Sequence, residues 1–142
     1  MQELSTQIKG RTTELEVINY FLKYGYIVSE PVVDTRYDLI AEINNKLVTI
    51  QIKTSHIDKN KNYIEFATCN IHINTNGTTR KNYKKDNVDY FATMYENKCY
   101  IIPVEDCGSR NKKLRLKPTK NNQIKNIAFA KNYEFEKIFP SD

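Results

Sequence analysis

The sequence predicts an α/β domain, a mixed central β-sheet flanked by helices, and three features of the chain predict it. Apolar residues recur at helical spacing from Thr6 to Lys23. Two alternating runs, Tyr37 to Ile43 and Lys46 to Thr54, flank Asn44 and Asn45. Two further runs, Val88 to Tyr95 and Cys99 to Val104, are dense in β-branched and aromatic residues around Glu96-Asn97-Lys98 and complete the buried sheet. A chain of 142 residues with ordinary apolar content buries one core, so residues 1–142 are expected to form a single domain.

The first element is an amphipathic helix whose stripe comprises Ile8, Leu15, Val17, Ile18, Phe21 and Leu22, with Gly25 as its stop. At about 100° per residue Glu16, Asn19 and Lys23 fall on the polar side, whereas Glu14 lies one turn before Ile18, inside the apolar arc. A bare carboxylate there is costly to bury, so Glu14 is paired, hydrogen-bonded or on a metal. The alternative is a glutamate at the edge of the stripe that pairs with Arg11 or reaches water.

Next, Tyr26, Ile27 and Val28 begin a strand that Pro31 limits or bends, with Val32 and Val33 continuing the extended run. The two alternating runs that follow carry the candidate site. In the first, Tyr37, Leu39, Ala41 and Ile43 share one face and Asp38, Ile40 and Glu42 the other. In the second, Val48, Ile50 and Ile52 oppose Thr49, Gln51 and Lys53. Both Asn44 and Asn45 tolerate positive φ, as a two-residue hairpin turn requires. That turn sets Ile43 against Lys46 and, stepping back, Asp38 against Gln51, with opposed Cβ atoms about 5 Å apart. Lys53 projects from the same face, and a slip of one residue destroys the arrangement.

Such a cluster suits phosphodiester hydrolysis, which needs a cation bound by oxygens to polarise the phosphate and acidify the attacking water, and a positive group to offset developing charge. Asp38 is the expected central Mg²⁺ ligand, with the Gln51 amide oxygen and the Ile52 carbonyl as neutral ligands. Lys53 would stand near the nucleophile and the scissile phosphate, and Glu14 would complete or orient the metal shell. The competing reading is a solvated hairpin face with a lone ion pair.

Twenty-two Lys and Arg against seventeen Asp and Glu leave a net charge of +5, which favours polyanionic partners held through phosphates. The segment from Asn70 to Asn87 holds Arg80, Lys81, Lys84 and Lys85 interleaved with Tyr83. It reads as a long loop or extended hairpin reaching along a groove, or else as a plain solvated loop. A second basic stretch, including Lys112, Lys113 and Arg115 around Leu114 and Leu116, lines a DNA cleft or shields an edge strand. The tail has weak helical spacing from Gln123 to Ala130, and Tyr133, Phe135, Ile138 and Phe139 dock onto the core or a partner subunit. No signal-peptide pattern and no apolar run of about 18 residues is present, so a cytoplasmic protein without membrane contact is expected. Cys69, Cys99 and Cys107 lack CxxC spacing and are expected to be reduced and structural. With only His56 and His72 in the chain, no Ser/His/Asp or Cys/His set is evident, which points to attack by water without a covalent intermediate.

With Glu14, the stretches Arg36-Tyr37-Asp38-Leu39-Ile40, Ile50-Gln51-Ile52-Lys53-Thr54, Val88-Asp89-Tyr90-Phe91-Ala92, Tyr100-Ile101-Ile102-Pro103-Val104 and Leu114 to Gln123 resemble the PD-(D/E)XK nuclease superfamily. Within it they resemble the branch associated with homing endonucleases of group I introns, over nearly the whole chain. The resemblance implies a restriction-endonuclease-like core and cleavage of double-stranded DNA that depends on Mg²⁺, with Mn²⁺ able to substitute. It also implies a homodimer or homotetramer with paired active sites. Tyr37 stands where the superfamily's name has proline, and Gln51 replaces the more usual second acid, as it does in that branch. The expected function is therefore homing-type, site-specific DNA cleavage. The alternatives are a Holliday-junction resolvase, a restriction or repair nuclease of the same fold, or a DNA-binding module whose catalytic site has decayed.

Overall fold

The computed structural model describes residues 2–74, 77–82 and 88–140. Helix α1 (Gln2–Lys23) ends where expected, because Gly25 takes φ of +83°. There the Gly25 amide donates to Leu22 at 2.9 Å and the Tyr26 amide to Phe21 at 3.0 Å, closing the last turn with a left-handed cap. The rings of Phe21 and Tyr26 meet edge to face at 6.1 Å, the apolar contact that accompanies such a cap. The stripe divides along the helix. Val17 and Phe21 are fully buried and Ile18 partly so, but Ile8, Leu15 and Leu22 are 61%, 50% and 56% exposed. Burial along the stripe begins only at Val17, and Leu22, next to buried Phe21, lies outside the buried arc.

The strands are β1 (Val28–Ser29), β2 (Leu39–Ile43), β3 (Lys46–Ile52), β4 (His56–Ile57), β5 (Tyr63–Ala67), β6 (Cys69–Asn74), β7 (Gly77–Asn82), β8 (Tyr90–Tyr95), β9 (Lys98–Pro103) and β10 (Asn111–Arg115). A five-stranded sheet runs in the order β1-β2-β3-β8-β9. Every pairing in it is antiparallel except β3 with β8, so the sheet is mixed, as expected. Each of its two long hairpins turns on a pair of residues at positive φ, Asn44 (51°) with Asn45 (66°) and Glu96 (46°) with Asn97 (67°).

Successive residues of the central strands feed two cores. On one face Leu39, Ala41, Ile50, Ala92 and Ile101 pack against Val17 and Phe21 of α1 and against Phe135 and Phe139, which lie in and just beyond α2 (Phe135–Ile138). Phe135 contacts the Phe21 ring at 4.8 Å and the Tyr20 and Tyr24 rings at 5.1 Å each, so the tail docks onto the core rather than away from it. On the other face Phe91, Ile102 and Val104 meet Ile64, Phe66 and Leu114 from a small sheet ordered β10-β5-β4. The helices thus cover one face and a second sheet the other, an arrangement that periodicity did not reveal.

Two expectations need correction. Val32 and Val33 do not extend β1, which stops at Ser29; they stand in solvent on a bent segment that begins with Pro31, whose lack of an N–H ends the pairing. Residues 123–129 form a turn and an isolated bridge from Phe129 to Arg115 instead of a helix, and a 3-10 turn follows at Ala130–Tyr133. The weak spacing there had no wide apolar face to bury. The basic region after Asn70 takes the extended-hairpin form where it is described, with β6 and β7 paired from Cys69↔Asn82 to Asn74↔Gly77. Cys69, Cys99 and Cys107 are free thiols, the first two buried.

Candidate active site

The β2–β3 register runs from Ile43↔Lys46 to Leu39↔Ile50, as the asparagine turn requires, and one further step sets Asp38 against Gln51. At that step the ladder gives way to the Asp38 side chain. Its amide donates to the Ile50 carbonyl at 2.9 Å, and its Oδ2 accepts the Ile52 amide at 2.8 Å. Gln51 and Lys53 alternate with buried Ile50 and Ile52 and so share the opposite face of the strand. The Lys53 amide donates to Ala92 at 2.8 Å, which ties this end of β3 to β8.

The electrostatics link three of the four candidates. Burial raises the Asp38 carboxyl above its ordinary value, against the Ile52 amide and the charge of Lys53, which lower it. Burial likewise lowers the Lys53 ammonium, and Asp38 resists that shift. Glu14 is raised first by burial and then by the negative charge of Asp38, with Arg11 acting in the opposite sense. Glu14 and Asp38 line one depression of about 190 Å³ together with Glu30, Pro31, Val32, Val33, Asp34, Thr35 and Tyr37. The helix therefore brings its glutamate to the end of the hairpin. Gln51 lies on β3 across from Asp38 and two residues before Lys53.

Sequence reasoning left Arg11 as a simple alternative partner for Glu14 and gave no role to Glu30. Arg11 reaches both, at 3.8 Å from Glu14 and 2.8 Å from Glu30, and a second guanidinium nitrogen donates to Glu30 at 3.4 Å. Hydrogen bonding to Arg11 holds the Glu30 carboxyl below its ordinary value. No spacing rule connects a helix residue with a loop residue nineteen positions on, so only the fold exposes this link.

The donors fit a divalent cation in kind. Two carboxylates, both raised by burial, line one depression, and with the Gln51 amide and the backbone carbonyls of β3 they are of the oxygen type that hard cations take. Among the described residues no group of three His, Cys, Asp or Glu forms a closed metal cage, so the neutral oxygens would have to complete the shell.

A family model described as PD-(D/E)XK endonuclease matches residues 4–136. The chain belongs to that family. Its fold is similar to that of a bacterial homing endonuclease, I-Ssp6803I, with a TM-score of 0.76 and 23% sequence identity over 92% of this chain and 88% of that one. No curated protein matches the sequence. The PD-(D/E)XK match and this likeness bear out the restriction-endonuclease-like core expected from the sequence.

The basic positions of this PD-(D/E)XK chain differ in how far their charges are committed. Lys113 is exposed, with its ammonium 4.7 Å from the Tyr63 ring centre. Lys112 donates to the Asp106 carbonyl at 2.7 Å, and Arg115 donates to the Lys117 and Pro118 carbonyls at 2.9 and 3.3 Å. All three line a cleft of about 690 Å³ with Tyr63, Glu65 and Arg110. Arg80 and Lys81 lie on β7, whereas Tyr83, Lys84 and Lys85 lie outside the described residues. No helix among the described residues is long and apolar enough to cross a membrane.

Proposed function

We propose that this chain is a metal-dependent endonuclease that hydrolyses phosphodiester bonds of double-stranded DNA at a specific site, in the manner of homing enzymes. The observation that carries the reading is the coupling of Glu14, Asp38 and Lys53 at one end of the β2–β3 hairpin in a chain of the PD-(D/E)XK family. The homing endonuclease of similar fold supports the choice of substrate.

In this reading Mg²⁺, or Mn²⁺ in its place, polarises the phosphate and lowers the pKa of the attacking water. Asp38 and Glu14 would hold the cation, with the Gln51 amide oxygen and the Ile52 carbonyl as further ligands. The Ile52 amide fixes the orientation of the Asp38 carboxylate by its hydrogen bond to Oδ2. Glu14 supplies the second negative charge that neutral Gln51 does not. Lys53, its ammonium already destabilised by burial, sits beside Asp38 to orient the water or offset charge on the phosphate. Lys113, beside Lys112 and Arg115 in the same cleft, contacts the duplex together with Arg80 and Lys81 of β7 and with Tyr83, Lys84 and Lys85.

In this reading the active form is a homodimer or homotetramer that presents paired active sites. Ile8, Leu15 and Leu22, exposed and seven residues apart, offer one helix face for that association. Incubation with plasmid carrying the native genomic neighbourhood should give linear product with Mg²⁺ and none with EDTA. Cutting confined to four-way junctions would favour a resolvase, and tight binding without cutting under any divalent ion would leave a DNA-binding module.

A further inference from the structure

Residues 30–37 join β1 to β2 across the candidate site, and both ends of the segment are tied. Glu30 is held by two nitrogens of Arg11 at 2.8 and 3.4 Å, and Asp38 is fixed to Ile50 and Ile52. Tyr37 packs against the second core, and Pro31 restricts the backbone at the start. Between these anchors Val32 is 100% exposed and Val33 74% exposed. Two adjacent β-branched side chains are thus held in water on a short, pinned segment, and both line the depression that contains Glu14 and Asp38.

We propose that Val32 and Val33 are substrate-positioning residues that pack on the sugar and base edge of the nucleotide flanking the scissile phosphate. The inference rests on the function proposed above, since a phosphodiester held at Asp38 has its neighbouring nucleotide against this segment. Apart from the cation that Asp38 and Glu14 would hold, charge does not draw DNA to this segment: the charged residues lining the depression are Glu14, Glu30, Asp34 and Asp38, and Glu30 is already paired with Arg11. The attraction available is apolar contact, either with a thymine methyl in the major groove or as a wedge at a base step. Such contact is made only when the strand is seated, so it aligns the phosphate with the metal ligands instead of adding general affinity.

The test compares wild type, V32S/V33S and V32I/V33I on a duplex spanning the mapped wild-type cut site, with cleavage kinetics and the fluorescence of 2-aminopurine placed beside the scissile phosphate. Both positions are exposed, so the serine pair should fold as wild type. Its kcat/KM should fall about tenfold or more, with altered 2-aminopurine signal, unchanged Mn²⁺ binding in calorimetry and recovery in V32I/V33I. Wild-type rates in V32S/V33S, or a loss traced by sedimentation to a changed oligomeric state, would overturn the inference alone. A wild-type protein that cuts no DNA with Mg²⁺ or Mn²⁺ would overturn the proposed function and this inference together.

Discussion

The carboxylate of Asp38 accepts the backbone amide of Ile52 at 2.8 Å, so one side chain both completes the β-ladder and faces the candidate metal site. These two roles separate by mutation. Asp38→Asn keeps an acceptor for the amide and should retain near wild-type stability. Asp38→Ala strands a partly buried N–H and should cost about 1–3 kcal/mol, read from urea unfolding. Both should lose cleavage by about 100-fold or more. Lys53→Ala should match that loss while DNA affinity stays within about tenfold, because the amine acts on the transition state. A large affinity loss with proportionate residual cutting would place these residues in the binding surface instead.

Lys113 and Lys112 are neighbours with different commitments, one exposed over Tyr63 and the other bonded to the Asp106 carbonyl. Lys113→Ala should therefore reduce the slope of log affinity against log salt by about 1, the signature of one lost phosphate contact. Lys112→Ala should change that slope much less. Equal effects from the two would show that Lys112 turns outward on DNA.

The hairpin turn offers a test of register. Asn44 and Asn45 occupy φ of 51° and 66°, where a β-branched side chain is strained. Asn45→Val should destabilise by about 1–2 kcal/mol, while Asn45→Gly should be neutral or stabilising. Because a slipped turn moves Asp38 to the other face, any loss of cutting in Asn45→Val should exceed what the unfolded fraction explains.

The docking of the tail carries a pH dependence. The Glu136 carboxylate accepts the hydroxyls of Tyr20 at 2.8 Å and Tyr24 at 2.5 Å. Burial pushes this carboxyl up, but the two hydroxyls, a backbone amide and Lys23 together hold the group below its ordinary value. A depressed carboxylate contributes stability that is complete above its unfolded value and lost as pH falls through its folded one. Wild type should melt above Glu136→Gln at neutral pH, and the gap should close as pH falls below the ordinary carboxylate value. A gap independent of pH would mean that the ionised form is not what the tyrosines hold.

Much of the site was legible because it depends on local rules. The helix stop at Gly25, the turn at Asn44 and Asn45 and the alternation around Ile50 each follow from backbone sterics within a few residues. Where the reading failed, the missing information was what lies opposite. Ile8, Leu15 and Leu22 have the spacing of core residues, yet that spacing cannot say whether a sheet extends beneath them. Val32 and Val33 have strand propensity but no partner strand beyond Ser29. The Arg11–Glu30 pair and the second sheet formed by β10, β5 and β4 join segments distant in sequence, and no periodicity encodes such meetings.

The five-stranded sheet has one parallel seam, where Ile50, Gln51 and Ile52 pair with Tyr90, Phe91 and Ala92. On either side of it stands a tight hairpin closed by adjacent residues. Short-range hairpins close within microseconds, whereas a seam that brings together residues forty apart must first pay for a long loop. Asp38, Gln51 and Lys53 all belong to the earlier-closing unit, so during refolding their mutual alignment should precede assembly of the sheet. The slow step would then fall on the joining of two finished halves, and variants in the seam should delay the appearance of native protein while those at the reactive end leave that delay unchanged.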